Sequence, residues 1–456
     1  MRLRSANVTM PRPGDGPPRA SAERLMAEAT PEATVHQRSY YDQYHGHPSK
    51  DLRTIVRSLR AQGKTLIWLA GDSSLDNKYW FSESHPAVNG YEKILQPAQM
   101  KADVNYWFNV AAARIAAEGG PSAPQLACIN TAIEATSLND RACGRLLSQD
   151  RLIRELIGPD DYLIVSVGGN DVALQPLLCT IGSMFGLVYT PLPTCAISNF
   201  ACACPPNLSP AFDFGCAGCG VTNCLSSVAC GFPLGFPYSP SSNERRRPLF
   251  WRPFWTVTEP PPGLLVPLSG ILASRRREQR KNGEKTSKNG RDMVLTKRVR
   301  AALLCLRNRY MVDMFKNRVG HYVRRLVSDT KPKKVVICMI YHLDEKSTGS
   351  WADCALKCLC YDCCPGRLQA GIEATYRQAT SKIRISGTEV QPFALFDVLD
   401  GKTTSDYLQR VEPSPQGGRK MADALLDAMI TIDRGGGGAA APRGETVALT
   451  PASMER

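Results

Sequence analysis

"KTLIWLAGDSSLDNKYW", residues 64–80, decides how the rest of the chain is read. Its first half is an apolar run with no alternation of polar and apolar positions, and it ends at Gly71. A strand covered on both faces, as in a parallel sheet, has that pattern. Ser73 follows directly, beside a glycine that permits a tight turn. A serine so placed presents its hydroxyl at the carboxyl edge of a sheet, where it can act as a nucleophile. The residues after it can open a helix, whose N-terminus favours a negative oxygen. Taken alone, Gly-Asp-Ser is explained equally well as a turn that caps a helix.

Four more runs resemble the first: "QLACINTA" (125–132), "DYLIVSVGGND" (161–171), "KKVVICMIYH" (333–342) and "TEVQPFALFDVL" (388–399). Pro392 interrupts the last of them. Helical periodicity separates the runs, over about 50–62, 105–117, 140–157, 296–328, 366–383 and 416–433. In the first of these, Leu52, Ile55, Val56 and Leu59 share one face. Five strands alternating with helices predict a doubly wound α/β sheet, with its site at the carboxyl ends of the strands. The expected organisation is a tail over 1–48, a domain over 49–189 and 293–434, an irregular insertion over 190–292, and a flexible tail over 435–456.

Two further motifs end strands. "VGGND" (167–171) places Asn170 where an amide can donate to an oxyanion; an Asx turn is the plainer account. "INTAIEAT" (129–136) follows the second run. Gly71-Asp72-Ser73, Asn130 and Gly168-Gly169-Asn170-Asp171, in this order and at these strand ends, resemble the first three blocks of the SGNH, or GDSL-type, hydrolase superfamily. The pattern spans 64–172 and 333–433. The resemblance implies a three-layer α/β/α sandwich, with a five-stranded parallel sheet in flavodoxin-like order, and ester hydrolysis through an acyl-serine. Ser73 would be the nucleophile. Its N–H, the Asn170 side chain and a backbone N–H at Ala135, where the family usually has glycine, would form the oxyanion hole.

The family's last block is Asp-x-x-His, commonly followed by Pro and then Gly ahead of a helix. Here "DYLQRVEPSPQGGRKMADAL" (406–425) keeps Pro413, Gly417 and Gly418, but has Gln409 and Glu412 at the two acid–base positions. Three readings stay open. Glu412 is the base, provided that burial raises a carboxylate pKa ordinarily near 4.3. Or His342, at the end of the fourth run and followed by Asp344 and Glu345, takes the role. Its strand would then lie two positions from the serine's, about 9–10 Å at ordinary sheet spacing. Or the fold has lost hydrolysis and binds a ligand. Asp76, Asn77 and Lys78 read as a solvated first helical turn, with Lys78 also placed to pair with an anionic substrate or with Glu412.

The formal charge of +14 is concentrated in 243–255 and 274–291, which read as solvated blocks, so nucleic acid is not the expected partner. A small-molecule ester is. No apolar run is long enough to cross a membrane. The first 25 residues lack a secretory core but are rich in Arg, Ser and Ala, so an intracellular site or an organelle transit peptide fits them. The 17 cysteines are read as thiols or metal ligands before disulfides. Cys216, Cys219, Cys224 and Cys230 have enough sulfurs for zinc. Cys354, Cys358, Cys360, Cys363 and Cys364 are expected to bury as small apolar groups. No cofactor motif and no catalytic metal site is recognised, and nothing indicates an oligomeric state.

Overall fold

The computed structural model describes residues 34–120, 123–173 and 311–431. The expected insertion, the C-terminal tail and the Cys216–Cys230 cluster lie outside the described residues.

Five parallel strands form the central sheet: β1 (Thr65–Gly71), β2 (Leu126–Asn130), β3 (Tyr162–Ser166), β4 (Lys334–Met339) and β5 (Glu389–Ala394). Their order is β2-β1-β3-β4-β5. The order reverses at β1, so its carboxyl end lies at the switch point where doubly wound sheets place their sites. Pro392 falls on β5, the edge strand, where a missing N–H is tolerated.

Unbroken apolar runs are required because both faces of the sheet are covered. Leu66, Trp68 and Ala70 of β1, with Val335, Ile337 and Met339 of β4, belong to one buried cluster. Ile67, Leu69, Val336 and Cys338 belong to a second. Residue parity therefore divides the core in two. The first cluster takes the apolar faces of α1 (Ser49–Ala61), α3 (Ser148–Leu156), α4 (Val319–Leu326) and α5 (Pro365–Gln378). The second takes α2 (Val104–Glu118) and α6 (Pro415–Thr431). In α1 the buried residues are Leu52, Ile55, Val56 and Leu59, the face that the periodicity predicts.

The ordered fold begins earlier than the expected boundary at residue 49. Val35 pairs with Leu95 in a short parallel ladder, and Tyr40, Tyr41 and His47 are fully or nearly fully buried. Residues 34–48 are thus part of the core, because their aromatic side chains carry apolar surface that only packing removes from water. The second cysteine group also departs from expectation. Cys354, Cys358, Cys363 and Cys364 are exposed, whereas Cys128 and Cys338 are the buried thiols. The short helix Asp353–Cys358 buries Leu356 instead, so these sulfurs face outward.

One carboxylate pins β3 to β1. Asp161 accepts from Leu66 N at 3.1 Å, Trp68 Nε1 at 2.9 Å and Gly158 N at 2.8 Å, and is paired with Arg60. Asp161→Ala would orphan a buried indole N–H and a backbone N–H. It should lower unfolding stability by about 3–5 kcal/mol in urea titrations. Arg53→Ala removes only an exposed pair with Glu155 and should cost under about 1 kcal/mol. Equal urea midpoints for the two variants would contradict the pinning role.

Candidate active site

The site begins where β1 stops. Gly71 has φ +149°, and a Cβ placed there would lie 1.7 Å from the carbonyl oxygen of Ser166 on β3. Only glycine fits this approach. The Asp72 N–H then donates to the same carbonyl at 3.2 Å. Asp72 turns inward, and its Oδ1 accepts from Ser74 N at 3.1 Å and Ser74 Oγ at 2.8 Å. Ser74 is buried and structural, whereas Ser73 is half-buried. The turn thus gives its two hydroxyls different roles, since Ser74 locks the loop and Ser73 faces the site.

Glu412 meets Ser73 from the far end of the chain. The short strands Tyr407–Leu408 and Glu412–Pro413 form an antiparallel hairpin. Gln409 and Arg410, at its tip, have φ +51° and +68°. Such a turn points consecutive side chains in different directions. Gln409 is exposed, while Arg410 is buried and donates to Asp344 O at 3.1 Å and Asp353 Oδ1 at 2.9 Å, and pairs with Asp362 at 2.9 Å. Anchored this way, the hairpin delivers the Glu412 carboxylate to Ser73. Ser73 Oγ donates to Glu412 Oε1 at 3.0 Å. Asn77 Nδ2 donates to Pro413 O at 2.8 Å, tying the serine's own segment to the hairpin. Ser414 caps α6 by accepting from Gly417 N at 3.1 Å. A Cβ on Gly417 would lie 2.1 Å from Asp406 O, so this glycine is needed for the closure.

The other residues singled out in the sequence are distributed unevenly. Asn170 is buried at the start of the short helix Gly169–Ala173, and its amide donates to Thr136 O at 2.9 Å. Ala135 sits one residue away from that carbonyl with φ +56°. A Cβ in this conformation is strained by roughly 1–2 kcal/mol, which explains the glycine usual in the resembled family. Asn130 braces the loop after Ser73, donating to Leu75 O at 3.1 Å. His342 is set against Phe396, with ring centroids 5.2 Å apart, and its backbone N–H donates to Leu399 O at 3.0 Å. No hydrogen bond joins it to Ser73 among the described residues. The structure thus brings together Ser73 and Glu412, leaves Gln409 at the surface and holds His342 beside the segment that follows β5.

Lys78 corrects the expected solvated turn. It is fully buried and donates to Asp76 Oδ2 at 2.7 Å and to Glu134. It is therefore committed away from Glu412 and from any substrate. Glu134 had no signal in the sequence, and neither did Arg141. The latter is buried, donates to Gly71 O at 3.1 Å and to Thr136 Oγ1 at 3.0 Å, and pairs with Asp150 at 3.0 Å. Isolated charged residues in loops carry no period, so only their burial reveals such roles.

Burial raises the Glu412 carboxyl to about 8; the Ser73 hydrogen bond opposes this, and the nearby Asp72 and Glu134 carboxylates add to it. Glu412 Oε2 is buried without a hydrogen-bond partner among the described residues. Desolvation also lowers the His342 imidazole below its ordinary value.

No family model, curated protein or solved structure matches the chain.

Because the folded protein holds the Glu412 proton more tightly than an unfolded chain does, the linked stabilisation is complete below about 4.5 and is lost as pH rises through about 8. Glu412→Gln removes that ionisation. Its Tm should lie close to wild type near pH 5 and exceed it at pH 9. Tm curves that run parallel across this range would mean that the carboxyl titrates as an ordinary one.

Proposed function

We propose that this protein is a serine hydrolase of the SGNH type that cleaves an ester, of a lipid or an acylated carbohydrate, with Glu412 in place of the usual histidine. The observation that carries the reading is the 3.0 Å hydrogen bond from Ser73 Oγ to Glu412 Oε1 at the switch point of the sheet. On this reading the architecture is a three-layer α/β/α sandwich, with the insertion entering between β3 and β4.

Ser73 Oγ attacks the ester carbonyl while its proton passes to Glu412 Oε1. The carbonyl oxygen becomes an oxyanion, received by the Ser73 and Ala135 backbone N–H groups and by the Asn170 amide. That amide carries two N–H donors, and one is already committed to Thr136 O. Glu412 then returns the proton to the departing alcohol. A water molecule, deprotonated by Glu412, then attacks the acyl carbon; the bond to Ser73 Oγ breaks, the acid leaves, and Glu412 returns the proton to Ser73 Oγ. Such donors each contribute roughly 2.7–4 kcal/mol to the transition state.

A carboxylate of ordinary pKa is a poor base at neutral pH. The raised value brings the serine's partner into the range where general bases work. Gln409 is exposed and is assigned no part in orienting Glu412, and His342 is assigned none in proton transfer. The second reading, a binding protein on the same scaffold, draws on the unpartnered Glu412 Oε2, since a triad base is ordinarily held by a third group.

Hydrolysis of a short p-nitrophenyl ester decides between them. Wild type should turn over and be labelled stoichiometrically by a fluorophosphonate, and Ser73→Ala should do neither. Glu412→Gln should lower kcat/KM by about 100-fold or more. Since the base acts ionised, kcat/KM should rise with pH and level off above about 8. A folded wild type that matches Ser73→Ala in both assays would select the binding protein.

A further inference from the structure

A second buried polar cluster lies behind the Ser73 turn, around Asp76. His47 Nδ1 is 2.7 Å from the carbonyl oxygen of Tyr40. A carbonyl only accepts, so Nδ1 carries the proton and Nε2 presents a bare lone pair. His47 is fully buried, and Nε2 has no hydrogen-bond partner among the described residues. The atom it approaches is Asp76 Oδ1, at 3.8 Å. The bare Nε2 therefore faces the Asp76 carboxyl, whose Oδ1 also accepts from Asn130 Nδ2 at 3.3 Å.

Asp103 adds a further carboxyl group. As the N-cap of α2 it uses Oδ1 to accept from Tyr106 N at 2.8 Å. Its Oδ2 is buried and unpartnered among the described residues. Ligand atoms of His47, Asp76 and Asp103 all lie within 4.8 Å of one another. The Tyr40 and Tyr41 side chains are buried nearby, and both feel the Asp103 and Asp76 carboxylates. Asp76, Glu134 and Asp103 are buried against Lys78, with the half-buried Lys101 beside it, whose ammonium donates to Lys78 O at 3.2 Å. Three carboxyl groups thus lie near two ammonium groups, and burial disfavours the charged forms of Asp76 and Asp103.

We propose that His47 Nε2, Asp76 and Asp103 Oδ2 form a binding site for a divalent first-row cation such as Mn²⁺ or Zn²⁺. One nitrogen and two carboxylate oxygens are a donor set these ions accept. Metal-bound histidines commonly donate their other ring N–H to a backbone carbonyl, as His47 does to Tyr40. Two bonds of roughly 2.0–2.2 Å hold their donors no more than about 4.4 Å apart, so the three donors must draw together to bind an ion. Lys78, on the other oxygen of Asp76, then acts as an outer partner that fixes the carboxylate.

The test uses the full-length chain, stripped with a chelator and dialysed. It is titrated with Mn²⁺, and binding is read as loss of the free-ion electron paramagnetic resonance signal. Mn²⁺ is chosen because thiolates prefer softer ions, so the 17 cysteines contribute little. One equivalent should bind and raise Tm. His47→Gln and Asp103→Asn should each weaken binding at least about tenfold, and Asn preserves the helix cap. No saturable binding by wild type at millimolar Mn²⁺, or equal binding by wild type and folded variants, would overturn the site. The wild-type titration decides this even where a variant fails to fold.

Discussion

Everything at the carboxyl edge of the sheet depends on how tightly the end of β1 lies against β3. Gly71 touches the Ser166 carbonyl so closely that no side chain fits between them. That contact fixes the first peptide after the strand and leaves the chain little freedom in how it turns. Asp72 must go inward, where Ser74 meets it, and Ser73 is left facing the open side. Arg141 holds the Gly71 carbonyl from the other side and reaches Thr136, whose own carbonyl receives the Asn170 amide. One close approach therefore sets the register of the three loops that meet at the serine.

The electrostatics of the region follow from how its carboxylates are kept apart. Lys78 pairs with both Asp76 and Glu134, and Arg141 lies close enough to Asp72 to offset part of its charge. Glu412 is buried with no cation bonded to it among the described residues. Its charged form is disfavoured for that reason, and its carboxyl holds a proton well above the ordinary carboxylate range.

Most of the sheet was legible because its signal is repetitive. Each of the five apolar runs became a strand, and α1 buried the face that its spacing indicates. The Ser73–Glu412 pairing was legible only by way of the surviving Pro413 and Gly417, which place the hairpin. What stayed hidden depends on single side chains. Nothing around Arg410 distinguishes it from a surface arginine, yet its burial anchors the loop. Lys78 read as solvated because a lysine one turn after a loop usually is. The aromatic stretch at 39–47 read as tail because Tyr40, Tyr41 and His47 follow no helical or strand period, although packing buries them.

The hydrogen bond between Ser73 and Glu412 joins residues 339 positions apart. During synthesis the β1 turn, β2 and β3 all emerge long before the hairpin does. For that interval the serine is without its hydrogen-bond partner, and the edge where β4 will dock is bare. On the proposed chemistry, a nascent or truncated chain would be inert toward esters however well its first half had folded. Reactivity would appear only when the last hairpin closes, which makes completion of the fold a safeguard against premature acylation.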